Sequence, residues 1–116
     1  MNRYPRIMWL LFVYAILALS AFACEDPQPK YDMNGSVVID VRTKQEYDQG
    51  HLKNAVNIPY DEIKGKIKNH VKDINENIIV YCRSGRRSGI AKKNLDDMGY
   101  KNVINAGAYR DLIKTE

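Results

Sequence analysis

Short apolar runs alternate along this chain with segments of helical periodicity, and this alternation restricts the fold more than any other feature. Residues 37–41 and 77–81 are rich in β-branched side chains and almost continuously apolar, which is typical of strands covered on both faces. Further strands are predicted at residues 55–58 and 103–104, and helices at residues 43–50, 61–71, 88–98 and 109–114. Strands that alternate with helices predict a single α/β domain with a central, mainly parallel sheet flanked by helices on both faces.

Individual residues indicate where several of these helices begin and end, and where one of them is less stable. Thr43 and Glu46 have the spacing of a capping box, in which each side chain bonds to the other residue's backbone N–H, and that helix is expected to stop at Gly50. Gly65 weakens the second helix, because glycine loses more conformational freedom than other residues when a helix forms. Gly99 is expected to end the third helix.

The first 23 residues differ from the rest of the chain. Arg3 and Arg6 give a positive start, residues 7–23 are all apolar or small, and the first acidic residue is Glu25. The run ends in Ala-Phe-Ala, the small-x-small pattern at which signal peptidases cut, so residues 1–23 are predicted to be a bacterial export signal. An uncleaved membrane anchor is the alternative, although the run is shorter than the roughly 20 residues that a membrane-spanning helix needs.

Cys24 follows the apolar run directly, at the position where a lipoprotein signal places its acylated cysteine. The residues before it are a poor version of that signal, since Leu is usual three positions before the cysteine. Two alternatives stay open, a lipid on Cys24 or simple cleavage into the periplasm, and membrane contact is expected only through such a lipid or an uncleaved signal. Residues 24–35 contain two prolines and no periodicity, and they are predicted to link this segment to a domain at residues 36–116.

Composition restricts the functions that are open to a chain of 116 residues. Loss of residues 1–23, which include Arg3 and Arg6, would leave 93 residues and lower the net charge from +4 to +2. A surplus this small does not suggest a nucleic-acid partner. Two cysteines are too few for a disulfide scaffold and two histidines are too few for a zinc site of common spacing, so neither a metal nor another cofactor is expected.

A cysteine follows the third predicted strand, where a short polar loop leads into a helix. Ligands of open α/β sheets bind beyond the carboxyl ends of strands, and N–H groups at a helix start favour an anion. A glycine lets this loop curl its N–H groups inward and three arginines add positive charge, in the sequence Cys82-Arg83-Ser84-Gly85-Arg86-Arg87. Because these features stabilise the nucleophilic thiolate, Cys82 is predicted to be reactive. The alternative, a buried and inert cysteine, does not explain the arginines and glycine that follow it.

Four segments of the domain occur in an order that is specific to one family. They are Val37-Val38-Ile39-Asp40-Val41-Arg42, Glu46-Tyr47, Gly50-His51-Leu52-x-x-Ala55-x-Asn57-Ile58-Pro59, and Cys82-Arg83-Ser84-Gly85-Arg86-Arg87-Ser88. Together they resemble the single-domain rhodaneses, in particular the small exported rhodaneses of the phage shock protein E type. The resemblance extends from residue 37 to residue 111. Asn54 and Ala108 depart from it, since glycine is usual at both positions.

This resemblance implies a thiosulfate sulfurtransferase. Cys82 would attack the outer sulfur of thiosulfate, release sulfite and hold the sulfur as a persulfide until a thiol or cyanide takes it. Residues 83–87 would direct their N–H groups at the outer sulfur, and their arginines would attract the dianion. The resemblance also places Asp40 and Arg42 near the loop, where they would hold it through charge-assisted bonds. A turn acceptor at the strand end is the alternative for Asp40.

Two other functions compete with this one. Cysteine phosphatases need an arginine in the spacing Cys-x5-Arg. Here Arg87 follows Cys82 in the spacing Cys-x4-Arg, and Ser88 stands where the phosphatase arginine would be. A loop that is one residue shorter fits a tetrahedral oxyanion poorly. The stronger alternative is a non-catalytic rhodanese-like domain that serves as a sulfur carrier or binding module. The intact Cys82, Gly85 and Arg87 favour the enzyme, and turnover of thiosulfate with cyanide discriminates between the two.

Overall fold

Four strands and four short helices alternate along residues 32–116, the part of the chain that the computed structural model describes. The strands are β1 (Val37–Asp40), β2 (Val56–Asn57), β3 (Asn77–Cys82) and β4 (Asn102–Ala108). The helices are α1 (Lys44–Asp48), α2 (Ile63–Lys66), α3 (Arg86–Asp97) and α4 (Tyr109–Leu112), with 3₁₀ turns at Ile67–Asn69 and Ile113–Thr115. The predicted export signal, Cys24 and the predicted linker up to residue 31 lie outside the described residues.

The four strands form one sheet in the order β2-β1-β3-β4, and every neighbouring pair is parallel. Val37 of β1 lies opposite Ile78 of β3, and Asn77 begins the pairing of β3 with Asn102 of β4. Five of the six residues of β3 are buried, as expected of a central strand in a parallel sheet covered on both faces. The predicted α/β domain with a mainly parallel sheet is confirmed.

Each face of the sheet packs against its own hydrophobic cluster, because successive side chains of a strand point to opposite faces. On one face, Ile78, Val80 and Cys82 of β3 belong to a cluster with residues of α2 and α3. On the other, Ile79 and Tyr81 belong to a second cluster that includes Leu112 of α4. The predicted placement of helices on both faces is therefore also confirmed.

The capping box predicted at the first helix is present. The hydroxyl of Thr43 accepts a hydrogen bond from the N–H of Glu46 at 3.2 Å, and a Glu46 carboxylate oxygen accepts one from the N–H of Thr43 at 2.9 Å. Two otherwise unpaired N–H groups are satisfied, which stabilises a helix of only five residues. The helix ends at Asp48, just before the predicted stop at Gly50.

The second helix is shorter than predicted. Residues 61–71 were expected to be helical, whereas α2 covers Ile63–Lys66 and continues only as a 3₁₀ turn. Gly65 lies inside this short helix, and no side chain caps its start. Ile63, Ile67 and Val71, which are spaced four residues apart, are nevertheless all buried in the core.

Two boundaries near the end of β3 also differ from the prediction. The last strand was expected at residues 103–104, but β4 extends over Asn102–Ala108. Its pairing with β3 shifts in register between Val80 and Tyr81, after which Tyr81 pairs with Gly107. Asn and Gly are poor strand formers, which is why its second half was not predicted. The third helix begins at Arg86 instead of residue 88, so the loop after Cys82 has only three residues.

None of the helices within residues 32–116 is long and apolar enough to cross a membrane.

Candidate active site

Cys82 is the last residue of β3, and its side chain is fully buried. The three residues after it turn the chain sharply into α3, whose first helical residue is Arg86. Gly85 is the N-cap of that helix. A strand, a tight loop and a helix N-terminus therefore converge on one sulfur atom, and the unpaired N–H groups of the helix start are directed towards it.

Hydrogen bonds to the Cys82 sulfur favour its thiolate form. The Gly85 N–H donates to Sγ at 2.9 Å, and the Ser88 hydroxyl lies 3.3 Å from Sγ. Burial by itself raises the pKa of Cys82, but hydrogen bonds from the Ser88 side chain and from backbone N–H groups at Ser88, Ser84 and Gly85 outweigh burial and lower the pKa below its ordinary value. A thiol in this site ionises more readily than one in water.

Gly85 allows the loop to adopt this shape. Its φ of +97° lies in the left-handed region that residues with a side chain rarely adopt. A Cβ at this position would also lie 3.5 Å from the Cα of Gly107 on β4, which itself has a φ of +88°. The loop and the last strand thus approach each other through two glycines, and the N–H of Gly85 points at the sulfur.

The three arginines of the loop have different surroundings. Arg83 and Arg86 are exposed to solvent, as is Ser84. Arg87 instead forms a two-pronged ion pair with Glu46 of α1, with distances of 2.8 and 3.0 Å. Arg87 was predicted to add positive charge to the loop together with Arg83 and Arg86, but its charge is matched by a carboxylate that lies 41 residues away in sequence.

Asp40 and Arg42 bond mainly to each other at the end of β1. Two nitrogens of the Arg42 guanidinium and its backbone N–H donate to the Asp40 carboxylate at 2.7 to 3.0 Å, and the guanidinium also donates to the Gly50 carbonyl at 2.7 Å. The expected charge-assisted bonds from this pair to residues 83–87 are absent from the described residues. The alternative interpretation of Asp40 as a turn acceptor describes its bond to the Arg42 N–H.

Tyr81 connects this ion pair to the second hydrophobic cluster. Its hydroxyl donates to Asp40 at 3.0 Å and accepts from the Leu52 N–H at 3.1 Å. Burial raises the pKa of Tyr81 far above its ordinary value, so the hydroxyl stays protonated. The buried carboxylate of Asp40 is thus fully paired, as a charge at a fully buried position must be.

A cavity of about 440 Å³ lies beside the loop. Arg42 forms one side, with its guanidinium 4.3 Å from the ring centroid of Tyr109, and Arg83 and Ser84 form another. Arg110 and Asp111 complete it together with Ala108. The space is open to solvent and contains more positive than negative side chains, so it can admit a small anion.

Three residues at the site were not predicted to act there. Glu46 was predicted only as a capping residue, and its bond to Arg87 forms only because the fold brings α1 within reach of the first turn of α3. Ser88 was seen as the start of a helix, not as a donor to the sulfur. Asn105 donates to the Gly85 carbonyl at 3.0 Å and accepts from the Ser88 hydroxyl at 2.7 Å. The only feature of the sequence that could have indicated a role for Asn105 is that it is a polar residue within a strand.

His51 was among the residues of the motif-bearing segment, and its ring has structural partners. Nδ1 lies 2.9 Å from the Tyr47 carbonyl, and the ring stacks on that of Tyr47 with centroids 3.7 Å apart. Asn54, which departs from the family pattern, adopts a φ of +62°. Asn tolerates the left-handed region better than most residues, so the turn forms without the usual glycine. Among residues 32–116, no three His, Cys, Asp or Glu side chains are grouped so that they could hold a metal ion.

Comparisons with known proteins agree with this geometry. A family model for the rhodanese-like domain matches residues 25–110. The thiosulfate sulfurtransferase PspE of Escherichia coli is 47% identical over 74 residues, which are 64% of this chain and 71% of that protein. YrkF of Bacillus subtilis, a candidate sulfur carrier protein, is 35% identical over 92 residues, which are 77% of this chain but 45% of that protein.

Solved structures show the same fold. A structure described as rhodanese with anions from Escherichia coli matches with a TM-score of 0.64 and 46% identity, over 66% of this chain and 89% of that chain. The human single-domain sulfurtransferase TSTD1 matches with a TM-score of 0.62 over 92% of this chain and 94% of that chain. At 22% identity the human protein is evidence for the fold alone.

Proposed function

Because this chain belongs to the rhodanese-like domain family and is a sulfurtransferase, we propose that it moves the sulfane sulfur of thiosulfate, or of a persulfide, through a Cys82 persulfide to a thiol or cyanide. The single observation that carries this proposal is the position of the sulfur. Its Sγ accepts a hydrogen bond from the Gly85 N–H at 2.9 Å at the start of a helix. This arrangement stabilises negative charge on sulfur.

In the loading step, the Cys82 thiolate attacks the outer sulfur of thiosulfate. A new S–S bond forms to Cys82, the S–S bond within thiosulfate breaks, and sulfite leaves with the electron pair of that bond. One negative charge then lies on the outer sulfur of the persulfide. Charge balances, since a thiolate and a dianion give a persulfide anion and a sulfite dianion.

The loop is suited to hold the resulting persulfide. Its outer sulfur is anionic, and N–H groups at the start of α3 can stabilise it as an oxyanion hole stabilises oxygen. Discharge follows when a thiolate or cyanide attacks this outer sulfur, the persulfide S–S bond breaks, and its electron pair returns to Cys82 as thiolate. No redox cofactor is needed for either step, because sulfur is transferred with its electrons balanced within the two reactants.

Thiosulfate is the donor that we favour. Arg83 and Arg86 are exposed in the segment that directly follows Cys82, and their charges attract a dianion from solution. The relative PspE is named a thiosulfate sulfurtransferase, and the Escherichia coli structure is described as containing anions. Arg87 contributes differently from the other two, because its bond to Glu46 holds the first turn of α3 in place.

A sulfur carrier is the second candidate function, favoured by the 35% identity to YrkF. Such a carrier would use the same thiolate, but it would accept sulfur from a protein partner and not from thiosulfate. A cysteine phosphatase fits less well, since Arg87 is paired with Glu46 and the helix begins at Arg86, which leaves the loop too short to surround a tetrahedral anion.

We also propose that the protein is exported and acts in the periplasm or on a bacterial membrane to which a lipid on Cys24 anchors it. The support is the sequence of residues 1–24. This location must supply a small anionic sulfur donor such as thiosulfate and a thiol acceptor, and neither a metal nor a nucleic acid is required by the proposed reaction.

The test of the function is turnover of thiosulfate with cyanide by the purified protein, together with its intact mass after thiosulfate alone. We expect turnover, and the added mass of one sulfur atom on Cys82. Cys82→Ser should lower turnover to the uncatalysed rate while the circular dichroism spectrum stays unchanged, because serine replaces only the nucleophile. Cys24→Ser is the matched control and should retain full turnover.

Three results would contradict the proposal in different ways. Wild-type turnover in Cys82→Ser would exclude the mechanism. Sulfur on a residue other than Cys82 would exclude the assignment of the nucleophile. Absence of both turnover and added mass in the wild-type protein, combined with sulfur uptake from a protein persulfide, would identify a carrier instead of an enzyme.

A further inference from the structure

Asn105 of β4 binds both sides of the loop that holds Cys82. Its amide NH₂ donates to the Gly85 carbonyl at 3.0 Å. Its amide oxygen accepts from the Ser88 hydroxyl at 2.7 Å and from the Gly107 N–H at 3.0 Å. One side chain is thus bonded to the loop, to the first turn of α3 and to its own strand, although it does not itself contact the sulfur.

The Ser88 hydroxyl has one hydrogen and three acceptors within reach. These are the Asn105 amide oxygen at 2.7 Å, the Gly85 carbonyl at 3.1 Å and the Cys82 sulfur at 3.3 Å. A hydroxyl donates one strong hydrogen bond at a time. Ser88 is fully buried, so its hydrogen cannot turn to bulk water when the sulfur does not need it.

The charge on Sγ decides which acceptor Ser88 uses. As a thiolate, Sγ is a charged acceptor and competes well for the hydrogen. As a thiol, or once the outer sulfur of a persulfide carries the charge, Sγ is neutral and a weak acceptor. In those states the amide oxygen of Asn105 is the better partner, and it is already at the shortest distance.

On the basis of the proposed function, we infer that Asn105 is a positioning residue that accepts the Ser88 hydrogen whenever Sγ carries no charge. Asn105 thereby stabilises the persulfide state relative to the thiolate. In the thiolate state the hydrogen turns to Sγ, and the Asn105 oxygen keeps its bond from the Gly107 N–H. Neither state leaves a buried polar group unpaired, so the Ser88–Asn105 pair adapts the site to both halves of the sulfur-transfer cycle.

Asn105→Leu tests this inference, because leucine is similar in size and its side chain offers no acceptor to the Ser88 hydroxyl. We expect the persulfide fraction at a fixed ratio of thiosulfate to sulfite, measured by intact mass, to correspond to a loading equilibrium about two- to tenfold less favourable. The pKa of Cys82, followed by thiolate absorbance against pH, should fall below that of the wild type. The thiol state loses the Asn105 acceptor at 2.7 Å and keeps only the longer bond to the Gly85 carbonyl at 3.1 Å, whereas the thiolate state keeps its bond from Ser88.

Ser88→Ala separates this role from a merely structural one. If Asn105 acts through Ser88, then Asn105→Leu has no further effect on the thiol titration once Ser88 is alanine. Additive effects, or an unchanged titration and loading equilibrium in Asn105→Leu, would overturn the inference. The charged groups near the sulfur are the same in every variant: Arg83 and Arg86, Arg87 with Glu46, and Asp40 with Arg42.

Asn102→Leu is the matched control. Asn102 is, like Asn105, an exposed asparagine of β4, but its side chain donates to the Asn75 carbonyl, away from the loop. In Asn102→Leu, the titration of the Cys82 thiol and the equilibrium of persulfide loading should equal those of the wild type. The thiol titration needs no turnover, so a failure of wild-type loading would contradict the proposed function while the titration still decides the role of Asn105.

Discussion

At the scale of single residues, the geometry of the site depends on a backbone conformation that only glycine adopts at low cost. Gly85 has a φ of +97° and directs its N–H at the Cys82 sulfur. Gly99, at the end of α3, has nearly the same φ of +98° but lies far along the chain from the loop. The two glycines therefore have similar backbone requirements and different functional roles.

We predict that Gly85→Ala and Gly99→Ala have similar effects on stability and different effects on catalysis. Each should destabilise the fold by about 1–2 kcal/mol, because a Cβ disfavours the left-handed region. At Gly85 the new Cβ would make only ordinary contact with Gly107, at 3.5 Å, but relaxation of the disfavoured φ would turn the N–H away from the sulfur, so kcat should fall about tenfold or more. At Gly99 a Cβ meets no atom within 4 Å.

Urea denaturation and steady-state turnover of thiosulfate with cyanide measure the two effects. Gly99→Ala should retain the wild-type kcat at temperatures where it is folded. A Gly85→Ala protein with full activity would show that the N–H of Gly85 does not assist the reaction. Equal losses of activity in both variants would indicate that reduced stability alone explains them.

At the scale of secondary-structure elements, the ion pair between Glu46 and Arg87 joins α1 to the first turn of α3. Both side chains are mostly buried, with exposed fractions of 28% for Glu46 and 17% for Arg87. The same Glu46 carboxylate completes the capping box with Thr43. The hydrogen bond from Arg87 is the main cause that lowers the pKa of Glu46 from its ordinary value of 4.5 to about 2.

This depressed pKa predicts how the stability of the protein depends on pH. The ionised Glu46 stabilises the fold fully above pH 4.5, and this contribution is lost as the pH falls towards about 2, where the folded state also takes up the proton. Glu46→Gln lacks the contribution. Its free energy of unfolding should be lower than that of the wild type at neutral pH, and the difference should shrink on acidification through this range.

Urea denaturation at a series of pH values from neutral to about 2 checks this expectation. Asp48→Asn is the matched control in the same helix, since the Asp48 carboxylate pairs with Lys44 at an exposed position and contributes little. A constant difference between wild type and Glu46→Gln across the pH range would contradict the assigned role of the ion pair.

At the scale of the whole molecule, the chain combines an N-terminal segment predicted to direct export with a domain that carries the chemistry. The family match covers residues 25–110, and it begins directly after Cys24. The two cysteines therefore belong to different parts of the chain: Cys24 adjoins the predicted signal and Cys82 ends the central strand β3.

We predict that the mature protein begins at Cys24. Expression in a bacterium with an export pathway, followed by intact mass of the product, tests this. A mass equal to that of residues 24–116 would indicate cleavage alone, and a larger mass from acyl groups on Cys24 would indicate a lipoprotein. Replacement of Ala23 by a bulky residue should block cleavage before Cys24. Recovery of the wild-type protein at its full length of 116 residues would contradict the prediction.

Several parts of the fold are encoded by residues that lie close together in the sequence. The strands β1 and β3, the capping box of Thr43 and Glu46, and the helix stop at Gly99 follow from neighbouring residues, and each was predicted within a few positions. The later half of β4 was missed, because Asn105 and Gly107 disfavour a strand and are tolerated only where the strand meets the loop.

The sequence by itself determined the α/β fold and the family and predicted Cys82 as the reactive cysteine, because these depend on short-range patterns of apolar, glycine and arginine residues. Only the tertiary structure decided that Arg87 is neutralised by Glu46 and that Asn105 is bonded to Ser88. These pairs are 41 and 17 residues apart in sequence, and they form only when the helices pack on the sheet and β4 lies beside β3. The charge and hydrogen bonding around the sulfur are therefore properties of the assembled fold.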